Sequence, residues 1–290
     1  MSTETDPMPR LVSVPLPAAA PTPPPRPAEP PAPAGPPRRG PVRTAAAAVC
    51  LVLGTGLIGG AAAGSWLGAA PGERSAAERT FTQGRNIWRS VPVDDLFPRT
   101  VHADAAGPGG AARDWTRVAV APDSDCAGAF DPLLAGVLAP AGCERLIRAT
   151  YTDATSTSVT TVGLLVTATD GAGMRALRKR FAAERLDERP DLMPRPYARP
   201  GTAAAHFGDA QRASWRITVL TDLPAVVFAV TGFADARTGT PPQPAARATD
   251  PRATTAPAQA GLGHDAAALA DRLDQGLHQA LRRAAREAAR

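Results

Sequence analysis

The chain has 290 residues, enough for one ordinary domain with appendages, and 32 of them are proline. Its net charge of +5 lies at the two ends: residues 1–43 carry five arginines against three acids, residues 236–290 carry eight against five, and residues 71–235 balance at 19 of each. A nucleic-acid-binding domain concentrates positive charge on its folded face, so the neutral centre argues against that class.

Residues 1–43 include PTPPPRPAEPPAPAGPPRRG and cannot build a core. Proline fixes φ and lacks a backbone donor, which favours a disordered, polyproline-like arm. It serves as a spacer or as a docking track for a proline-recognising partner. Residues 44–70, TAAAAVCLVLGTGLIGGAAAGSWLGAA, hold no charged residue. About 20 apolar residues span the ~30 Å hydrocarbon core, so this stretch is long enough for a transmembrane helix. The 43 preceding residues are too many for an ordinary signal-peptide n-region, although the small residues ending at Ala70 suit a peptidase. The reading is a signal anchor, with cleavage as the alternative. Arg38, Arg39 and Arg43 crowd its N-terminal flank, whereas Glu73 and Arg74 balance beyond it. The positive-inside rule then leaves the N-terminus in the cytoplasm and exports residues 71–290. Gly60 and Gly64 form a GxxxG step, a spacing that arises easily in so Gly/Ala-rich a stretch.

Residues 71–112 read as a stalk with one apolar island, IWRSVPVDDLF, expected to dock on the domain that follows. From 113 to 235 the periodicity switches between strand and helix. WTRVAVA (115–121) alternates as a strand. FDPLLAGVLAP (130–140) places Phe130, Leu133, Leu134, Val137 and Leu138 on one helical stripe behind the cap signal Asp131-Pro132. ERLIRATY (144–151) and SVTTVGLLVTA (158–168) alternate as a hairpin. Asp170 caps a helix with Met174, Leu177 and Phe181 on one face; SWRITVLTD (214–222) and AVVFAVTGF (225–233) follow as strands. The order predicts an α+β domain: an antiparallel sheet with helices on one face, in a ferredoxin-like β-α-β-β-α-β arrangement with an extra strand. A Pro/Thr/Ala-rich linker (236–262) leads to an amphipathic helix (263–290) with Leu269, Leu273, Leu277 and Leu281 at steps of four. That helix suits docking on the domain or self-association.

Cys126 and Cys143 fall in the exported region and bracket one helix, which predicts a disulfide; Cys50 lies in the apolar stretch. Histidines 102, 206, 264 and 278 are scattered, and no HxxxH or HExxH spacing suggests a metal. The Asp123-Ser124-Asp125 triplet lacks the glycine and distal glutamate of a calcium loop and reads as a turn. No GxSxG, SxxK or phosphate loop is present, so no catalytic residue and no cofactor is assigned. The segment from Asp187 to Ala213 is longer than a compact domain needs. Its Arg189, Arg195, Tyr197, Arg199, His206 and Phe207 could grip an anionic or aromatic ligand, or the loop is merely variable.

The layout, a Pro-rich arm, one Ala/Gly-rich span and a domain containing GCERLIRATYTD, resembles uncharacterised single-pass membrane proteins of Streptomyces-type actinobacteria. That resemblance implies a place in the cytoplasmic membrane and lends no catalytic residues. The functional expectation is an envelope protein with an extracytoplasmic binding, sensing or scaffold domain, whose partner is an envelope protein or cell-wall component. The alternative is an exported enzyme with an unrecognised site.

Overall fold

The computed structural model describes residues 71–122, 126–288 and 290. The arm, the charge-free stretch and the Asp-Ser-Asp turn lie outside the described residues. Among those described, no helix is long and apolar enough to cross a membrane.

Three helical pieces come first: α1 (Pro71–Arg85), α2 (Ile87–Ser90) and α3 (Val93–Leu96). They lie against the domain. Ile87, Leu96 and Phe97 of the apolar island are buried, Trp88 and Val91 pack beside them, and Val93 is exposed. Arg85 ties α1 down by donating to the carbonyls of Ala168 (3.0 Å) and Thr169 (2.9 Å).

The sheet has seven strands: β1 (Thr100–Ala103), β2 (Arg113–Val120), β3 (Arg145–Asp153), β4 (Ser158–Val166), β5 (Arg212–Val219), β6 (Ala225–Phe233) and β7 (Gln243–Pro244). Their order is β1-β2-β3-β4-β6-β5-β7. Every neighbouring pair is antiparallel except β5 with β7, so the sheet is mixed. The α+β class and all five strands expected between 113 and 235 are present.

The finer arrangement differs from the ferredoxin-like expectation. A split βαβ would set β2 and β3 parallel with another strand between them. Instead they are antiparallel neighbours, with Thr116 opposite Thr152 and Arg117 opposite Tyr151. The seven-residue helix between them, α4 (Pro132–Leu138), buries Leu134, Val137 and Leu138 in the core on one side of the sheet.

Helices also cover both faces, not one. All nine residues of β4 are buried, as are the first eight of β6. A strand buried on both sides reads as a continuous apolar run, and AVVFAVTGF is such a run. On one face Trp115, Tyr151, Val162, Leu164, Val227 and Ala229 pack beneath α8 (Leu262–Ala288). On the other, Leu146, Leu165, Trp215, Ile217, Val226 and Phe228 pack against α4, α5 (Gly171–Glu184) and the long loop that follows α5. Phe228 crosses the midline of β4 at Gly163, where an added Cβ would lie 2.1 Å from its Cζ, so only glycine fits. Asp170 caps α5, accepting from the Gly173 amide at 2.8 Å.

Segment 236–262, read as a linker, is folded: it contains β7, α6 (Ala245–Ala248) and α7 (Ala256–Gln259), and Ala245, Ala248 and Ala258 are buried. Two of its prolines sit where helices begin, Pro244 as the N-cap of α6 and Pro257 in the first turn of α7, so the composition of a linker also suits a chain of short turns. Gly263 lets α8 close on α6; a Cβ there would sit 2.5 Å from that of Ala248. The leucine stripe at 269, 273, 277 and 281 is 1–5% exposed and faces the sheet, so the helix docks on its own domain. Each leucine so buried contributes about 1.5–3 kcal/mol.

Candidate functional site

The loop residues singled out by sequence are placed separately. Arg189 donates to Asp191 (Nε to Oδ1, 3.0 Å). Arg195 lies 3.5 Å from Asp131 and 3.3 Å from Asp209, in a cluster completed by Arg212 at 2.8 Å from Asp131. Asp131 therefore stands at the N-cap of α4 but holds arginines rather than the helix amides. Tyr197 is pinned through its backbone: its amide donates to Thr161 Oγ1 (2.9 Å) and its carbonyl accepts from Thr150 Oγ1 (2.7 Å). The Arg148 guanidinium lies 5.6 Å from the tyrosine ring, and burial lowers its pKa. Phe207 is buried in the core with Leu192, Met193 and Ala204; Arg199 and His206 are exposed. Much of the loop's length thus serves to cover one sheet face. The disulfide is formed: Cys126 is bonded to Cys143, clamping the ends of the α4 connection.

The most deeply buried charge is Asp265, in the first turn of α8, with no exposed surface. Arg113 reaches it through Nε (3.0 Å) and Nη2 (2.6 Å), Trp115 through Nε1 (3.2 Å) and Ser158 through Oγ (2.6 Å). Burial pushes its pKa up, while Ser158, Arg113 and Trp115 act to hold it down. A carboxylate with that many donors and no route to solvent anchors a helix to a sheet; it has no room for a substrate.

A cleft with room for a small molecule lies on the same face. It measures about 230 Å³ and lies between the segment 95–102 and the middle of α8. Its floor is apolar: Phe97, Val101, Tyr151, Val162, Leu269 and Leu273. Its rim is polar, formed by Asp95, His102, Arg272, Gln275 and Gln279. The walls are fixed by hydrogen bonds. Tyr151 donates its hydroxyl to the Pro98 carbonyl (3.0 Å), and burial raises its pKa. Arg272 donates to the His102 carbonyl (2.6 Å). Arg117 bonds both the Phe97 carbonyl and Asp94, and its hydrogen bond holds the Asp94 carboxyl below the usual range. His102 sits between Asp114 (2.7 Å) and Asp104 (3.2 Å), whose hydrogen bonds raise its pKa, Asp114 foremost.

This lining can hold a small molecule with an apolar body and a polar end. It pairs no nucleophile with a base. Among the described residues no group of three His, Cys, Asp or Glu could hold a metal. None of the six loop residues lines the cleft. Sequence reasoning missed it because its walls come from three distant segments; the one local signal was the mixture of apolar and charged residues in the island before β1.

Comparison with protein-family models, with curated proteins and with solved structures gives no match.

Proposed function

We propose that the chain is a membrane-tethered envelope protein whose α+β domain lies outside the cytoplasmic membrane and acts by binding rather than by catalysis. The observation that carries this reading is the Cys126–Cys143 bond in the folded domain, taken with the charge-free stretch at 44–70. Disulfides persist in oxidising compartments, and the arginines before the stretch favour an N-terminus inside. The cleft beside α8 supports the binding role, since it combines an apolar floor with amide and charged groups at the rim.

The test is a fusion of alkaline phosphatase, which folds only outside the cytoplasm, after Arg290. The fusion must follow α8, because truncation at 235 would remove the helix that covers one face of the sheet. Phosphatase activity in the membrane fraction is the expected result. An expressed but inactive fusion overturns the orientation, and an active soluble product beginning near Pro71 replaces the anchor with a cleaved signal.

A further inference from the structure

The two edges of the sheet differ in how they are closed. β1 is four residues long and carries His102 between two carboxylates, a charged edge of the kind that discourages pairing. At the other edge, β7 pairs only with Ser214 and Trp215 of β5, after which the chain leaves the sheet as α6. The remainder of β5, Arg216 to Val219, has a neighbour on one side only.

Ladder geometry says which groups are left over. The Leu220 amide donates to the Ala225 carbonyl at 3.0 Å, and the register continues Thr218 opposite Val227 and Arg216 opposite Ala229. In an antiparallel pair the backbone groups of successive residues alternate in direction. Leu220, Thr218 and Arg216 therefore face β6, and the N–H and C=O of Ile217 and Val219 point to the free edge.

That edge opens into a groove of about 320 Å³, with Phe181 and Ala182 of α5 on one side and Pro244, Ala245 and Ala246 on the other. Ile217 and Val219 present buried apolar side chains there, so an incoming strand meets both backbone partners and an apolar pocket. The flanking charge is positive. Arg178 lines the groove, and Arg175, Arg178 and Lys179 are exposed on α5 with no ion pair among the described residues. Of the lining, Arg216 is already paired with Asp271 at 2.9 Å, and Asp187 is the one acid.

We propose that this edge takes an extended acidic peptide segment of a partner protein, added as a short strand beside Ile217 and Val219. Main-chain hydrogen bonds supply the affinity in strand addition, and alternate side chains supply the specificity. Here one side chain of the peptide enters the pocket bounded by Phe181, Ile217 and Val219, and its carboxylates meet the cations of α5. Two protruding helical walls fit a single inserted strand better than the flat edge of a second copy. The proposal names a surface and a partner chemistry for the binding role above, but its test uses purified protein and is independent of where the protein resides.

The experiment uses the full chain in detergent and three labelled probes: acetyl-Glu-Val-Thr-Val-Glu-amide, its lysine counterpart, and the acidic peptide N-methylated at its two valines. The acidic peptide should bind saturably. The lysine counterpart and the N-methylated form should each bind at least tenfold more weakly. Amide exchange at Ile217 and Val219 should slow at least tenfold on binding. Arg178→Glu, an exposed substitution checked by circular dichroism, should erase or reverse the charge preference; if that variant fails to fold, Arg178→Gln should reduce the preference. Absence of saturable binding overturns the proposal, as does binding indifferent to N-methylation. Concentration-dependent dimerisation that protects Ile217 and Val219 without peptide overturns it too, by giving the edge to a second copy.

Discussion

The two faces of the sheet pose the same problem and are covered by different means. One is covered chiefly by one 27-residue helix, α8, whose leucine stripe lies on Tyr151, Val162 and Val227 and whose first turn is fixed by Asp265. The other is covered in pieces, by α4, α5 and a loop, and its fastenings are a disulfide and the Asp131–Arg212 pair. A long regular helix buries its stripe in one piece, with a buried carboxylate fixing its first turn and exposed or half-exposed contacts such as Arg216–Asp271 along its length. A broken cover has more ends to hold and uses a covalent link that constrains the unfolded chain instead. The first scheme concentrates risk in one buried carboxylate; the second spreads it.

The largest effect should come from that carboxylate. Asp265→Ala leaves Arg113, the Trp115 N–H and the Ser158 hydroxyl facing an empty site, and breaking such a buried pair costs about 3–5 kcal/mol. Urea denaturation should show it as a lower midpoint, and a loss under 1 kcal/mol would mean that α8 is held by its leucines alone. On the other face, replacing Cys126 and Cys143 together by serine should cost about 3 kcal/mol, given a closed loop of 17 residues. If the pair proves costlier than Asp265→Ala, the contrast between the faces is reversed. Smaller again is Asp170→Ala, which removes the cap of α5 and should cost about 1 kcal/mol in thermal melts.

The smallest expected effect is a pH dependence on the α8 face. His278 is half-buried, 2.7 Å from Asp222 and 2.9 Å from the Asp274 carbonyl. Burial lowers its pKa, but the hydrogen bonds and charges of Asp222 and Asp274 outweigh burial and leave it raised. A raised folded-state pKa means that the folded protein holds the proton more tightly. The stabilisation is then complete below the unfolded value of about 6.5 and fades as pH rises through the folded value. Melting temperature should therefore drop slightly across that window, and His278→Gln should flatten the slope; an unchanged slope in the variant would assign it to another group.

Local patterns were legible in the sequence and distant partnerships were not. AVVFAVTGF at 225–233 is β6 to the residue, and Asp170 caps α5 as its spacing implied, because both depend on neighbours in the chain. The strand order escaped because alternation shows which residues face inward, not which strand lies alongside. The run VVFAVTG, apolar at nearly every position, already signalled burial on both sides; reading each strand for one buried face hid the second layer of helices. Asp265 was invisible for a different reason. Its partners Ser158, Trp115 and Arg113 stand 107, 150 and 152 residues away, and nothing near residue 265 marks it as more than a first-turn acid. The loop from 187 to 213 was noticed for its length, but Leu192, Met193, Ala204 and Phe207 show where much of that length goes: into the core.

The position of α8 in the chain has a consequence for how the domain is made. A ribosome delivers β1 to β7 before it delivers the helix that shelters half of them. Until Leu281 has emerged, Trp115, Tyr151, Leu164 and Val227 have no roof, and Arg113 has no counter-ion. Loop closure over some 150 residues is slow and leaves such surfaces open to unwanted contacts meanwhile. Translated without membranes, a chain stalled on the ribosome just after residue 262 is therefore expected to retain a holding chaperone that a chain stalled well past 288 has released.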